Sequence, residues 1–312
     1  MKTARFETLV TMIIAASSIG ARGISCGPCP PRPPRVVSWT PPPDLEGGLA
    51  DAYIASHCGA ICGQPAESCA RVPRERDAGD SVEVECAFPP GSGQCVGGRR
   101  PEALAEAAFS DEVTTTAGWL GRVAHLEAAA ILAFRDLRRD LRALGAPRRL
   151  LRAASRARRD EVRHARVMGA LARRHGANVP PPRAEAGALP TLEQLATRNA
   201  VEGCVRESYG AVVARWQAMN ASDREVRSAM ARIAHEEAAH AALSFAIDAW
   251  ARPRLTREAR ARVDGARAEA ARALVAVAER GAVPRSAALG LPDPPVAARL
   301  ARGLLEVMHL AA

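Results

Sequence analysis

Asp160-Glu161-Val162-Arg163-His164-Ala165 and Glu236-Glu237-Ala238-Ala239-His240-Ala241 share one pattern, acid-Glu-x-x-His-Ala, and each lies inside a long helical periodicity. A glutamate and a histidine three positions apart on a helix are separated by about 60° of arc, so both can reach one metal ion. In a chain this rich in Ala, Arg and Glu, a single Glu-x-x-His carries little information. Two copies, each with another glutamate about one helical hairpin upstream, carry much more.

The upstream partners are Glu127, 34 residues before Glu161, and Glu202, 35 residues before Glu237. If each pair belongs to an antiparallel hairpin, the midpoints should fall at turns. They fall beside Gly145-Ala146-Pro147 and Asn220-Ala221-Ser222, where turn chemistry is present. Counted from each turn, the paired glutamates come level to roughly one helical turn, about 5 Å. Glu207 is the alternative on the third helix. Five residues turn an α-helix through about 140°, so Glu202 and Glu207 cannot both face one site squarely. Glu202 is preferred because it keeps the repeat spacing, which Glu207 breaks.

On Glu127, Glu161, His164, Glu202, Glu237 and His240, residues 119–251 resemble the ferritin-like di-metal carboxylate superfamily (rubrerythrin- and ferritin-related). The resemblance implies an all-α fold: a ferritin-like four-helix bundle with a long crossover between its second and third helices. It also implies a pair of iron ions, or alternatively manganese, reacting with oxygen or peroxide. Glu161 and Glu237 would bridge the two ions, Glu127 and Glu202 would be terminal, and His164 and His240 would complete one site each. The six ligands are also the candidate catalytic residues. By the same resemblance, Glu236 would hold His164 and Asp160 would hold His240, each taking the second ring N–H; the alternative is that both acids are solvated.

Other residues near the motifs read as packing. Tyr209 and Phe134 lie seven residues after Glu202 and Glu127, two turns along the same faces. Cys204 reads as a small buried apolar side chain. His125 and His235 stand about 160° away from the ligand faces. Arg148, Arg149, Arg152, Arg156, Arg158 and Arg159 form a basic run that invites a nucleic-acid reading. Without interleaved aromatics, a solvated face or loose attraction to anionic headgroups is the simpler account.

The 312 residues carry +9 formally, only 4% are aromatic, and Lys2 is the single lysine. Such composition favours helices over sandwiches. Residues 1–25 read as a secretory leader, with a basic start and an apolar run too short for a membrane span. Gly23-Ile24-Ser25-Cys26 resembles a bacterial lipobox with Gly where Leu is usual, so membrane attachment through a lipid on Cys26 stands beside ordinary cleavage and soluble export. The expected location is the cell envelope or the exterior. Residues 26–46 are a stiff Pro-rich linker. Residues 47–115 form a Cys-rich module in which disulfides are preferred over zinc, the pairing being open. Residues 116–251 are the bundle and 252–312 an additional helix and tail. Capping boxes are expected at Thr191–Gln194 and Ser222–Glu225.

Two function classes follow. One is an exported di-metal redox protein, a di-iron oxidoreductase of ferroxidase, peroxidase or oxygenase type. The other is a surface-attached structural or binding module whose bundle is a scaffold with a stability-only or vestigial metal site. Nothing in the chain fixes an oligomeric state.

Overall fold

A computed structural model describes residues 8, 10–14, 35–42, 48–62, 68–72, 82–87, 99–101, 103–112, 114–185, 187–280 and 283–308. The chain is mostly helical and divides into two compact units, 27–93 and the remainder (1–26 with 94–312). Most of the proline run and Cys26, Cys29 and Cys95 lie outside the described residues.

The smaller unit holds strand β1 (Arg35–Trp39), helices α1 (Gly48–Ser56) and α2 (Cys58–Cys62), and strands β2 (Ser68–Arg71) and β3 (Val82–Ala87). The sheet is antiparallel in the order β1-β3-β2. Only β3 is visible in the sequence as an alternating run; β1 falls in the stretch read as linker. Cys58 and Cys62 stand one turn apart on α2, while Cys69 and Cys86 are directly opposed across β2 and β3. That spacing matches two bridges side by side, Cys58–Cys69 and Cys62–Cys86. They close over a small core of Ile54, Val82 and Val84. A unit this small is marginal on its buried apolar surface alone, and the two cross-links add to its stability.

The larger unit is built on two helical hairpins. Helix α3 (Thr116–Ala143) starts at Thr115, whose hydroxyl accepts from the Gly118 N–H. It turns at Gly145, whose φ of +71° favours glycine, into α4 (Arg148–Arg174). The connection 175–191 then leads to α5 (Leu192–Arg198), which starts with the expected reciprocal cap between Thr191 and Gln194. The rod continues through a π-helical segment, Asn199–Glu207, into α6 (Ser208–Asn220). Helix α7 (Arg224–Ala251) returns antiparallel; its cap is Asp223 rather than Ser222, accepting from the N–H groups of Glu225 and Val226. Helix α8 (Arg257–Arg280) lies along α5 and the π segment, and α9 (Pro294–Val307) packs on α8 and α6. Val10, Ile13 and Ile14, in the stretch read as a leader, are buried with Val212, Leu300 and Leu304.

Two apolar clusters fill the hairpin pair. One gathers Phe134, Leu141, Leu150, Ile247 and Trp250; the other gathers Trp119, Leu120, Met168, Leu171, Met230 and Ile233. Along α3, α4, α7 and the α5–α6 rod, the positions between these clusters are where the acids and histidines fall. Layers on either side thus hold a polar layer away from water.

Candidate metal centre

Glu161, His164, Glu207, Glu237 and His240 are buried in that layer, with Glu127 at its edge. Two four-residue groups can each converge on one ion: Glu127, Glu161, His164 and Glu237, and Glu161, Glu207, Glu237 and His240. Within each group the ligand atoms lie within 4.8 Å of one another. Glu161 and Glu237 belong to both groups, while Glu127 and His164 belong to one and Glu207 and His240 to the other.

Both rings present Nδ1 inward. His164 Nδ1 lies 3.3 Å from Glu237 Oε1 and 3.4 Å from Glu127 and Glu161 oxygens. His240 Nδ1 lies 3.2 Å from Glu161 Oε1 and 3.6 Å from Glu237 Oε1. Outward, His164 Nε2–H donates to Glu236 Oε2 at 2.8 Å, and His240 Nε2–H donates to Asp160 Oδ2 at 3.3 Å. Each ring is therefore held by a carboxylate from the opposite hairpin, and each acid precedes the glutamate of its own motif. Arg163 bridges Asp160 and Glu236, joining the two supports.

The repeat spacing favours Glu202, and here the structure departs from it. Glu202 is half-buried outside both groups, paired with Arg206 at 2.5 Å and accepting from the Arg100 backbone N–H. Glu207 takes the inward place, 3.7 Å from His240 Nδ1. The cause is the π segment between them. Its i→i+5 bonding widens the turn and shifts the angular phase that an α-helical count assumes.

The electrostatics fit a cation site. Both oxygens of Glu161 and Glu207, one of Glu237, and Nδ1 of both histidines are buried without a hydrogen-bond partner. Native structures rarely leave such groups unsatisfied unless an ion or a function accounts for them. Burial, joined by neighbouring carboxylates, pushes Glu127 and Glu207 up to about 8. Burial pushes Glu161 and Glu237 the same way, but both are held below the usual range by His164 and His240. Burial lowers the two imidazoles, yet the surrounding carboxylates raise both well above the ordinary histidine range. Without metal the cage thus favours protonated carboxyls at Glu127 and Glu207, and charged imidazoles facing the carboxylates of Glu161 and Glu237. Carboxylate and imidazole together suit iron or manganese.

Arg99 was not legible in the sequence, lying in a stretch assigned to the Cys-rich module. Its buried guanidinium donates to Asn199 Oδ1 at 3.0 Å and Ser244 Oγ at 3.2 Å. Its Nε approaches Glu207 Oε1 to 3.8 Å, and the group lies 5.6 Å from the Phe134 ring centroid. Gly203 makes room: a Cβ there would lie 2.3 Å from Arg99 Nη2 and 2.4 Å from Ser244 Oγ.

The remaining candidates are packing residues. The Tyr209 hydroxyl donates to the Ala297 carbonyl, and His125 Nδ1–H donates to the Pro180 carbonyl at 2.7 Å. Burial pushes the Cys204 thiol up to about 12, too high for a thiolate at neutral pH. Beside the cage, a cavity of about 50 Å³ is lined by Trp119, Val123, Met168 and Ile233 together with Glu127 and Glu237. No family model, curated protein or solved structure matches the chain.

Proposed function

We propose that the chain is an exported, ferritin-like di-metal protein, a four-helix bundle whose cage takes two iron ions, or manganese, and is redox-active toward Fe(II), oxygen or peroxide. The observation that carries this reading is the pair of four-ligand groups sharing Glu161 and Glu237, each completed by one imidazole backed from the opposite hairpin. Glu127, Glu161, His164, Glu207, Glu237 and His240 would hold the ions. Iron or manganese there would supply electron exchange with a small oxidant. Of the chain's own residues, Glu236 and Asp160 fix the two rings with Nδ1 inward. Trp119, Val123, Met168 and Ile233 form a largely apolar approach to Glu127 and Glu237, with room of about 50 Å³ beside them. That space suits oxygen or peroxide. The disulfides in 27–93 suit an oxidising, exported setting. No described helix is long and apolar enough to cross a membrane.

The deciding experiment measures metal per chain and oxygen consumption on Fe(II) addition, for the parent and for a His164→Ala/His240→Ala double variant. About two ions and turnover in the parent, both lost in the variant, support the redox reading. Metal that raises the thermal midpoint without turnover would support the structural module instead. No uptake after anaerobic Fe(II) and Mn(II) loading overturns both metal readings.

A further inference from the structure

Helix α4 carries ten arginines against Asp160 and Glu161, a net +8 of the chain's +9. Asp160 is engaged by Arg163 and His240, and Glu161 is buried in the cage. The outer surface of α4 is therefore almost purely cationic, while the rest of the chain together carries +1.

The arginines are arranged as well as numerous. Arg148, Arg149, Arg152, Arg156, Arg159, Arg166 and Arg173 are all exposed, and none makes an ion pair or side-chain hydrogen bond among the described residues. At 100° per residue they fall within about 120° of arc, on the side of the helix away from Glu161, His164 and Met168. From Arg149 to Arg173 the stripe runs about 36 Å. Arg163 and Arg174 share the arc but are paired, with Asp160/Glu236 and Asp223/Glu225 respectively. Unpaired guanidinia brought this close repel one another, and nothing in the core requires arginine at these outward positions. A solvated helix face normally mixes both signs.

We propose that the outer face of α4 is a docking surface for a membrane rich in anionic phospholipid headgroups. Guanidinium forks match phosphate oxygens in bidentate geometry. A row of side chains along the outer side of one rigid helix can meet a plane along its whole length. Helix α4 has no Phe, Tyr or Trp with which to stack on bases, and the disulfides of the small unit suit an oxidising setting, where nucleic acid is scarce. The inference does not depend on the metal centre, since the stripe lies on the opposite side of the helix.

The test is co-sedimentation of the purified full chain with phosphatidylcholine vesicles with and without phosphatidylglycerol, at low and high salt. Beside it run Arg152→Glu/Arg156→Glu/Arg159→Glu and the matching triple lysine variant. The expected result is binding to the anionic vesicles only, lost at high salt. The triple glutamate variant should bind about a hundred-fold more weakly or worse, and the triple lysine variant should largely keep the binding. Helicity and metal content read on the same samples confirm that the exposed substitutions leave the fold intact. Equal binding to both vesicle types, or unchanged binding after charge reversal, overturns the proposal. Displacement from anionic vesicles by duplex DNA at lower concentration than by soluble phosphatidylglycerol also overturns it, in favour of a nucleic-acid face.

Discussion

A single residue decides how the second ion would be held. Glu207, with two unpartnered buried oxygens, and Glu202, with Arg206 and the Arg100 N–H for partners, are chemically identical and five positions apart. Removing charge from each separates them. Glu207→Gln should lower the metal content from about two ions to about one, while Glu202→Gln should leave it unchanged; elemental analysis after anaerobic loading reads both. The reverse outcome would restore the α-helical count and deny the π segment its role. Gly203 is the other sensitive position. Its missing Cβ is the space that Arg99 and Ser244 occupy, so Gly203→Ala must displace the guanidinium beside Glu207. An overpacked, rigid site of this kind typically loses about 1–3 kcal/mol, readable as a lower urea midpoint at unchanged slope. A neutral effect would mean that Arg99 moves aside at no cost.

At the level of elements, the two histidines depend on helices that do not carry them. Glu236 on α7 holds the ring of His164 on α4, and Asp160 on α4 holds the ring of His240 on α7. Glu236→Gln keeps the shape but removes the anion that fixes the ring, and should weaken metal binding about ten- to a hundred-fold with little change in fold. Competition with a chelator measures it, and unchanged affinity would make Glu236 a surface acid only. This crossed support was legible only as what the resemblance of the two motifs implies, with solvated acids as the alternative. The hairpin turns were legible from local chemistry: Gly145 needs a positive φ, and residues 221–223 break the periodicity. The π segment was not readable, because its widened turn depends on what surrounds it: Arg99 and Ser244 against Gly203, Asn199 bonded across to α7, and α8 alongside. Arg99 escaped notice because an arginine in a polar stretch gives no sign of burial until the tertiary fold is known. The disulfide pairing needed the opposition of Cys69 and Cys86 across two strands, only one of which shows alternation in the sequence.

For the molecule as a whole, the cage links stability to pH in opposite senses with and without metal. Glu127 and Glu207, pushed up to about 8 by burial, keep their protons in the folded chain where the unfolded chain has lost them. A raised pKa contributes stability that is complete below the unfolded value of 4.5 and is lost as pH rises toward about 8. The raised imidazoles act in the same sense above the ordinary value of 6.5. Glu161, Glu236 and Glu237, all held low, contribute above the ordinary 4.5 and lose their contribution only as pH falls below it. Across pH 5 to 8 the groups of the cage whose contribution still changes, Glu127, Glu207 and the two imidazoles, therefore pull one way, and the metal-free chain should melt at a lower temperature at pH 8 than at pH 5. A divalent cation must displace the protons on Glu127, Glu207, His164 and His240, so its affinity rises over the same interval. The loaded chain should accordingly gain most over the metal-free chain at pH 8. Circular dichroism melts at both pH values, with chelator or with anaerobic Mn(II), measure the four midpoints. A Glu127→Gln/Glu207→Gln variant isolates the contribution of the two glutamates, since it should flatten the metal-free slope and abolish most of the gain from metal. A metal-free midpoint that climbs from pH 5 to 8, and climbs equally in that variant, would mean that these carboxyls are ionised and solvated, and that the cage is open to water.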